Sequence, residues 1–114
     1  MIQQSDLRLL NLMLEKVNRL IGLLDTHSLE EIESNFVYTD TIQFEFEKLY
    51  EDSNRLSTEF RITHANLPIN ELRAIRNRVA HDYETVSVQI LINTIQNDFP
   101  LLKEIIENLI SSGQ

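Results

Sequence analysis

The chain has 114 residues, 42% of them hydrophobic, no cysteine and a net charge of −8. That is enough apolar length for a single domain over residues 1–114 with a real core, and too much for a disordered chain. The lack of cysteine excludes disulfides, thiolate metal sites and a cysteine nucleophile, and fits a reducing cytoplasm, the location expected here.

Residues 1–6 contain no basic stretch leading into an apolar run, so no signal peptide is expected. Leu7, Leu10, Leu14, Val17, Ile21 and Leu24 then follow at 3-4-3-4-3 spacing. That is a helical seam suited to shallow, near-antiparallel packing, with Ser5 as its expected N-cap. Leu9, Met13, Leu20 and Leu23 widen the apolar face, so this helix should touch more than one neighbour. Ser28 and Glu31 stand in the capping-box relation and open a short helix. Asp40 is the expected cap of a longer one carrying Ile42, Phe46, Leu49, Leu56 and Phe60 on one stripe, interrupted at Ser53. The stretch from 30 to 59 holds nine carboxylates against Lys48 and Arg55, which reads as a solvated outer face. Pro68 breaks the chain, and Asn70 is the expected cap of a helix over 71–81. A last pair of helices carries Val88, Leu91, Ile92 and Ile95, then Leu102, Ile105, Ile106 and Leu109, with Pro100 at a first turn or a kink between them. With only two glycines and two prolines the pattern predicts an all-α, up-and-down bundle of four to five helices. It leaves no room for a glycine-rich phosphate loop. No apolar run approaches the ~20 residues that span a bilayer, so no membrane association is expected.

The chemistry concentrates in Arg76-Asn77-Arg78-Val79-Ala80-His81-Asp82-Tyr83. An imidazole moves protons near neutral pH, and a guanidinium grips a phosphate oxygen through paired hydrogen bonds, a combination suited to a phosphodiester. Between positions 61 and 81 four arginines oppose Glu71, a local +3 that leaves −11 elsewhere. A cationic island of that size holds a few phosphates, whereas the acidic remainder discourages coating of long nucleic acids. On a helix Leu72, Ile75 and Val79 face the core, and Arg73, Asn77 and His81 line a polar side at i, i+4, i+8. Arg76 borders the core stripe, with its stem packed and its head at the rim. Asp82 suits a local cap or a group that orients His81, and the helix should end near Tyr83. His27 and His64 have no partners at metal-ligand spacing and read as solvent-exposed; no metal site is expected.

The motif resembles the Arg-x4-His-x-Tyr signature of HEPN domains. Its flanks, residues 67–75 and the run from Ile92 to Leu102, together with the leucine-rich first helix, are similar to the HepT-like branch. The resemblance implies a HEPN-like bundle that dimerises so that two motifs face one cleft. It implies a toxin of a toxin–antitoxin pair that acts as a metal-independent ribonuclease on RNA and needs no cofactor. It implies a cognate minimal nucleotidyltransferase antitoxin that transfers AMP to the motif tyrosine. Carried over by position, Arg76 and His81 are catalytic and Tyr83 is the AMP acceptor, while Arg73, Asn77 and Arg78 are placed to bind substrate. Two readings of another class stay open: a non-catalytic helical partner or substrate-binding subunit of a nucleotidyltransferase, and a plain dimerising bundle whose motif is structural.

Overall fold

The computed structural model describes residues 1–81 and 85–113, with side chains for 1–79 and 88–113. Five long helices carry the architecture: α1 (Gln4–Thr26), α3 (Phe36–Asn54), α5 (Ile69–His81), α6 (Thr85–Asn97) and α7 (Phe99–Gly113). Two six-residue helices, α2 (Leu29–Ser34) and α4 (Thr58–Thr63), turn the chain before and after α3. All seven described elements are helical, as the apolar periodicity predicts.

α1 packs against both α3 and α7; α5 lies on α3 and α6, and α6 closes the bundle against α7 and α1. The fully buried side chains Leu10, Met13, Leu20, Ile42, Phe46, Leu49, Leu91, Ile92, Ile95, Phe99 and Ile106 form the centre. Phe46 of α3 and Phe99 of α7 stack there, 6.4 Å between centroids and 15° between planes. On α1 the buried line is Leu10, Met13, Val17 and Leu20, while Leu7, Leu14, Ile21 and Leu24 flank it, half-buried. The expected wide apolar face is present, but its centre lies to one side of the 3-4 seam, because α3 and α7 share the helix between them.

Several helix ends differ from expectation. Ser5 lies inside α1, whose N-cap position falls at Gln3 with no side-chain cap. Its neighbour Asp6 turns inward instead, accepting from the Ser57 backbone N–H at 2.8 Å and from the Ser57 hydroxyl at 2.6 Å. The long acidic helix starts at Phe36, not Asp40, and is capped by Asn35, whose side-chain oxygen accepts from the Val37 N–H at 2.9 Å. It ends at Asn54, so Leu56 and Phe60 belong to the next segment, where Ser57 caps α4 by accepting from the Phe60 N–H at 3.1 Å. α5 begins at Ile69 with the Pro68 carbonyl accepting from the Leu72 N–H, which places Asn70 in the first turn and not at the cap. The Ser28–Glu31 capping box forms with both reciprocal bonds. Pro100 sits in the first turn of α7, where its missing N–H removes no helical bond.

His27 and His64 are half-buried and not solvent-exposed. Each follows a helix and packs its ring on an aromatic, Tyr38 and Phe60 respectively, at 4.7 Å. No described helix is long and apolar enough to cross a membrane.

Candidate functional site

α5 owes its orientation to one apolar edge. Leu72 is buried, and Ile75 and Val79 pack half-buried against the core. The polar residues are thereby distributed around the rest of the cylinder. Arg73 and Arg76, one turn apart, fall on the flank that meets α3. Asn77 is exposed beside them. Arg78 falls on the other flank, where it lines an open depression with Asn93, Asn97 and Asp98 of the α6–α7 region. The arginines of α5 are therefore split: Arg73 and Arg76 address α3 and Arg78 faces the α6 side. His81 is the last residue of α5. Its side chain, with Asp82 and Tyr83, lies outside the described residues.

Arg76 has the most developed surroundings. Glu47 of α3 accepts from its Nε at 3.3 Å and 3.2 Å, one bond to each carboxylate oxygen, and from its Nη2 at 3.2 Å. The guanidinium lies over the Tyr50 ring, 5.2 Å from the centroid. Its Nη1 donates to the Asn77 side-chain oxygen at 3.3 Å. The hydrogen bond to Glu47, and then that carboxylate's charge, raise the Arg76 pKa above its ordinary value, so the group is a permanent cation. The side chains of Arg76 and Glu47 keep 38% and 41% exposure, so the pair stands at the rim as expected from the position of Arg76 beside the core stripe. At such exposure solvent screens the pair, which therefore orients the arginine more than it stabilises the fold.

Arg73 has only neutral described partners: its Nε donates to the Tyr50 hydroxyl at 3.4 Å, its Nη2 to Asn54 at 3.3 Å and its Nη1 to Asn70 at 3.5 Å. No carboxylate among these offsets its charge. Arg61, counted in the cationic island from sequence, has a different task. Its guanidinium donates to the carbonyls of Ser53, Asn54 and Leu56 and so satisfies the C-terminal end of α3.

The acidic stretch is not simply a solvated face. Glu45 pairs with Arg19 at 3.0 Å and Asp52 with Lys16 at 2.7 Å, both on α1, while Glu47 reaches α5. Glu47, Tyr50 and Asn54 are the site residues that sequence reasoning missed. Their spacing of i, i+3, i+7 puts them on one flank of α3 beside the buried stripe of Ile42, Phe46 and Leu49, and that row was the available signal. Among the described residues no three histidine, cysteine or carboxylate side chains gather as metal ligands.

The described part of α5 presents two guanidiniums, Arg73 and Arg76, on one flank, an arrangement that can hold an anion, and His81 follows five positions beyond Arg76 in the same helix. Residues 13–109 match a family model described as Ribonuclease HepT-like. A curated relative from Thermococcus cleftensis, named "Probable ribonuclease HepT", is 28% identical over 100 residues, covering 84% of this chain and 91% of that protein. No solved structure matches the chain.

Proposed function

The chain belongs to the HepT-like ribonuclease family, and we propose that it is a metal-independent endoribonuclease that cuts RNA with Arg76 and His81. The observation that supports this most directly is the family match over 13–109, which takes in the whole motif from Arg76 to Tyr83. The guanidinium of Arg76, held at the rim of α5, is in keeping with it.

RNA carries its own nucleophile. His81 removes the proton from a ribose 2′-OH, or delivers one to the departing 5′-oxygen, while Arg76 stabilises the charge that builds on the phosphorane. The 2′-oxygen bonds to phosphorus, the bond to the 5′-oxygen breaks, and the products are a 2′,3′-cyclic phosphate and a 5′-OH. Arg73 and Asn77 bind the strand beside the scissile phosphate, and Arg78 engages it from the other flank. A homodimer supplies a second His81, so that one imidazole acts as base and the other as acid. The protein works as the toxin of a toxin–antitoxin pair in the cytoplasm. A minimal nucleotidyltransferase antitoxin neutralises it by moving AMP from ATP to the Tyr83 hydroxyl with release of pyrophosphate. The added charge and bulk then exclude RNA.

The purified protein incubated with tRNA and mRNA tests this reading. Cleavage is expected to survive EDTA and to fall by about 10²–10⁴ in His81→Ala, the usual worth of a general acid or base. Full activity in that variant refutes the mechanism. The Arg76–Glu47 pair favours a second reading, in which the arginine is structurally engaged and the chain is a non-catalytic partner or substrate-binding subunit of a nucleotidyltransferase. That reading predicts a complex with the transferase and no cleavage at any protein concentration.

A further inference from the structure

A guanidinium offers two forks to an anion: a side-on fork of Nε–H and Nη2–H, and an end-on fork of the two Nη groups. In Arg76 the side-on fork is taken by Glu47, which engages both Nε and Nη2. One Nη1 hydrogen goes to Asn77. Of the five N–H bonds of a guanidinium, one on each Nη then has no acceptor among the described residues. The remaining Nη2 hydrogen projects from the end of the group, away from Glu47, and Nη1 keeps one hydrogen beside it. The group lies over the Tyr50 ring, 5.2 Å from its centroid. A carboxylate along one edge and a ring beneath the cation thus orient it.

We propose that Glu47 and Tyr50 are positioning residues that present the Nη1/Nη2 end of Arg76 to the scissile phosphate, which binds without displacing Glu47. The inference rests on the ribonuclease reading and deepens it. The opposite role is a latch, with Glu47 occupying the guanidinium until RNA competes it away, and the two roles differ in sign. A phosphate at the end-on fork sits near the Glu47 carboxylate and is repelled by it, so Glu47 weakens ground-state binding while holding the geometry that the transition state needs. Removing its charge should leave RNA bound as well or better, yet cut more slowly. A latch predicts that removal speeds cleavage.

Steady-state cleavage of RNA by the full chain distinguishes them. Glu47→Gln retains the side-chain shape but replaces one carboxylate oxygen with an NH2 that cannot accept from the fork. It is expected to lower kcat by about tenfold to a hundredfold, the cost of a misplaced catalytic group, with KM unchanged or reduced. Glu45→Gln removes the same charge two residues away, from the pair with Arg19, and is expected to leave both constants unchanged. A second measurement needs no activity. The Nε–H nuclear magnetic resonance signal of Arg76, identified by its loss in Arg76→Lys, should be sharp and protected in the wild-type chain and averaged in Glu47→Gln. A Glu47→Gln enzyme that cuts as fast as wild type or faster, or an Arg76 signal already averaged in the wild type, overturns the proposal. A wild-type chain that cuts no RNA overturns the ribonuclease reading and this inference with it, whereas normal cleavage with an unaffected Glu47→Gln overturns this inference alone.

Discussion

Asp6→Ala is expected to be among the most damaging polar substitutions in the molecule. Asp6 is only 3% exposed, and its carboxylate accepts two hydrogen bonds from one residue, the Ser57 N–H at 2.8 Å and the Ser57 hydroxyl at 2.6 Å. The same hydroxyl accepts from the Phe60 N–H and so caps α4. One carboxylate therefore pins the first turn of α1 to the start of α4, the element that leads into Leu67, Pro68 and the motif helix. Hydrogen bonds to a charged acceptor contribute about 1.5–3 kcal/mol each. Two such bonds would give about 3–6 kcal/mol. The alanine variant also escapes the cost of burying a charge, and Asp6 borders an open pocket from which water can reach Ser57. The expected net loss is accordingly near the lower end, about 3 kcal/mol. An unfolding entropy of about 2.1 cal/mol/K per residue gives about 0.24 kcal/mol/K for this length, so Tm should fall by roughly 12 °C. Asp6→Asn keeps one acceptor for the backbone N–H and should lose about half as much. Urea unfolding followed by circular dichroism measures both, and the double variant Asp6→Ala/Ser57→Ala completes a cycle with an expected coupling above ~1 kcal/mol. A loss under ~0.5 kcal/mol for Asp6→Ala, or additivity in the cycle, refutes the pinning argument.

A pH effect is expected at α2. The Ser28 backbone N–H, then the Ser28 hydroxyl, hold the Glu31 pKa below its ordinary value, so the folded carboxyl titrates below the unfolded one. The capping box therefore stabilises α2 fully above the ordinary glutamate range, about pH 4.3, and the effect is lost as pH falls through the folded pKa. The protection of the Ile32 amide, its exchange rate taken relative to the intrinsic rate at each pH, should fall on acidification across that range, and Glu31→Gln should remove the dependence. RNA binding should be only weakly salt-dependent: two or three phosphate contacts give a slope of log K on log salt of roughly −2, and a slope steeper than about −4 would require a basic surface this chain lacks. Incubation with ATP and the cognate transferase should add one AMP to the intact chain and none to Tyr83→Phe; modification of that variant refutes the Tyr83 assignment.

The long helices were legible because each buries one stripe at helical spacing, and the Ser28–Glu31 box was legible because both its members lie in one turn. The break after Asn54 was not. Leu56 and Phe60 continue the apolar stripe of Ile42, Phe46 and Leu49 almost in phase, so the hydrophobic period carries no mark of the interruption. What ends α3 there is long-range or local polar chemistry: Arg61 reaching back to the carbonyls of Ser53 and Asn54, and Ser57 capping the next helix with Asp6 behind it. Ser5 illustrates the same limit, since residue type favoured it as a cap while its neighbour's distant partner set the register. In the candidate site the arginines of α5 were visible as a cluster. Their division between two flanks follows from the helical angle between positions 76 and 78, but which neighbours lie on those flanks depends on the packing of α5 between α3 and α6.

That packing explains how an acidic chain carries a cationic site. Arg73 and Arg76 lie one turn apart on the same flank, where two guanidiniums repel each other. α3 answers with different partners for each: a carboxylate for Arg76, a phenol and an amide for Arg73. The repulsion is relieved while one full charge is left without a described counter-ion. Two of its other carboxylates point elsewhere, Glu45 to Arg19 and Asp52 to Lys16, two turns apart on the flank that meets α1. One helix thus carries Glu47 on one side of its apolar stripe and Glu45 and Asp52 on the other, paired with Arg76, Arg19 and Lys16. The net charge of the chain is therefore a poor guide to the potential above α5. There Arg73 has only neutral described partners, while Glu47 meets the Nε and Nη2 edge of Arg76, so the two neighbouring cations stand in different electrostatic surroundings.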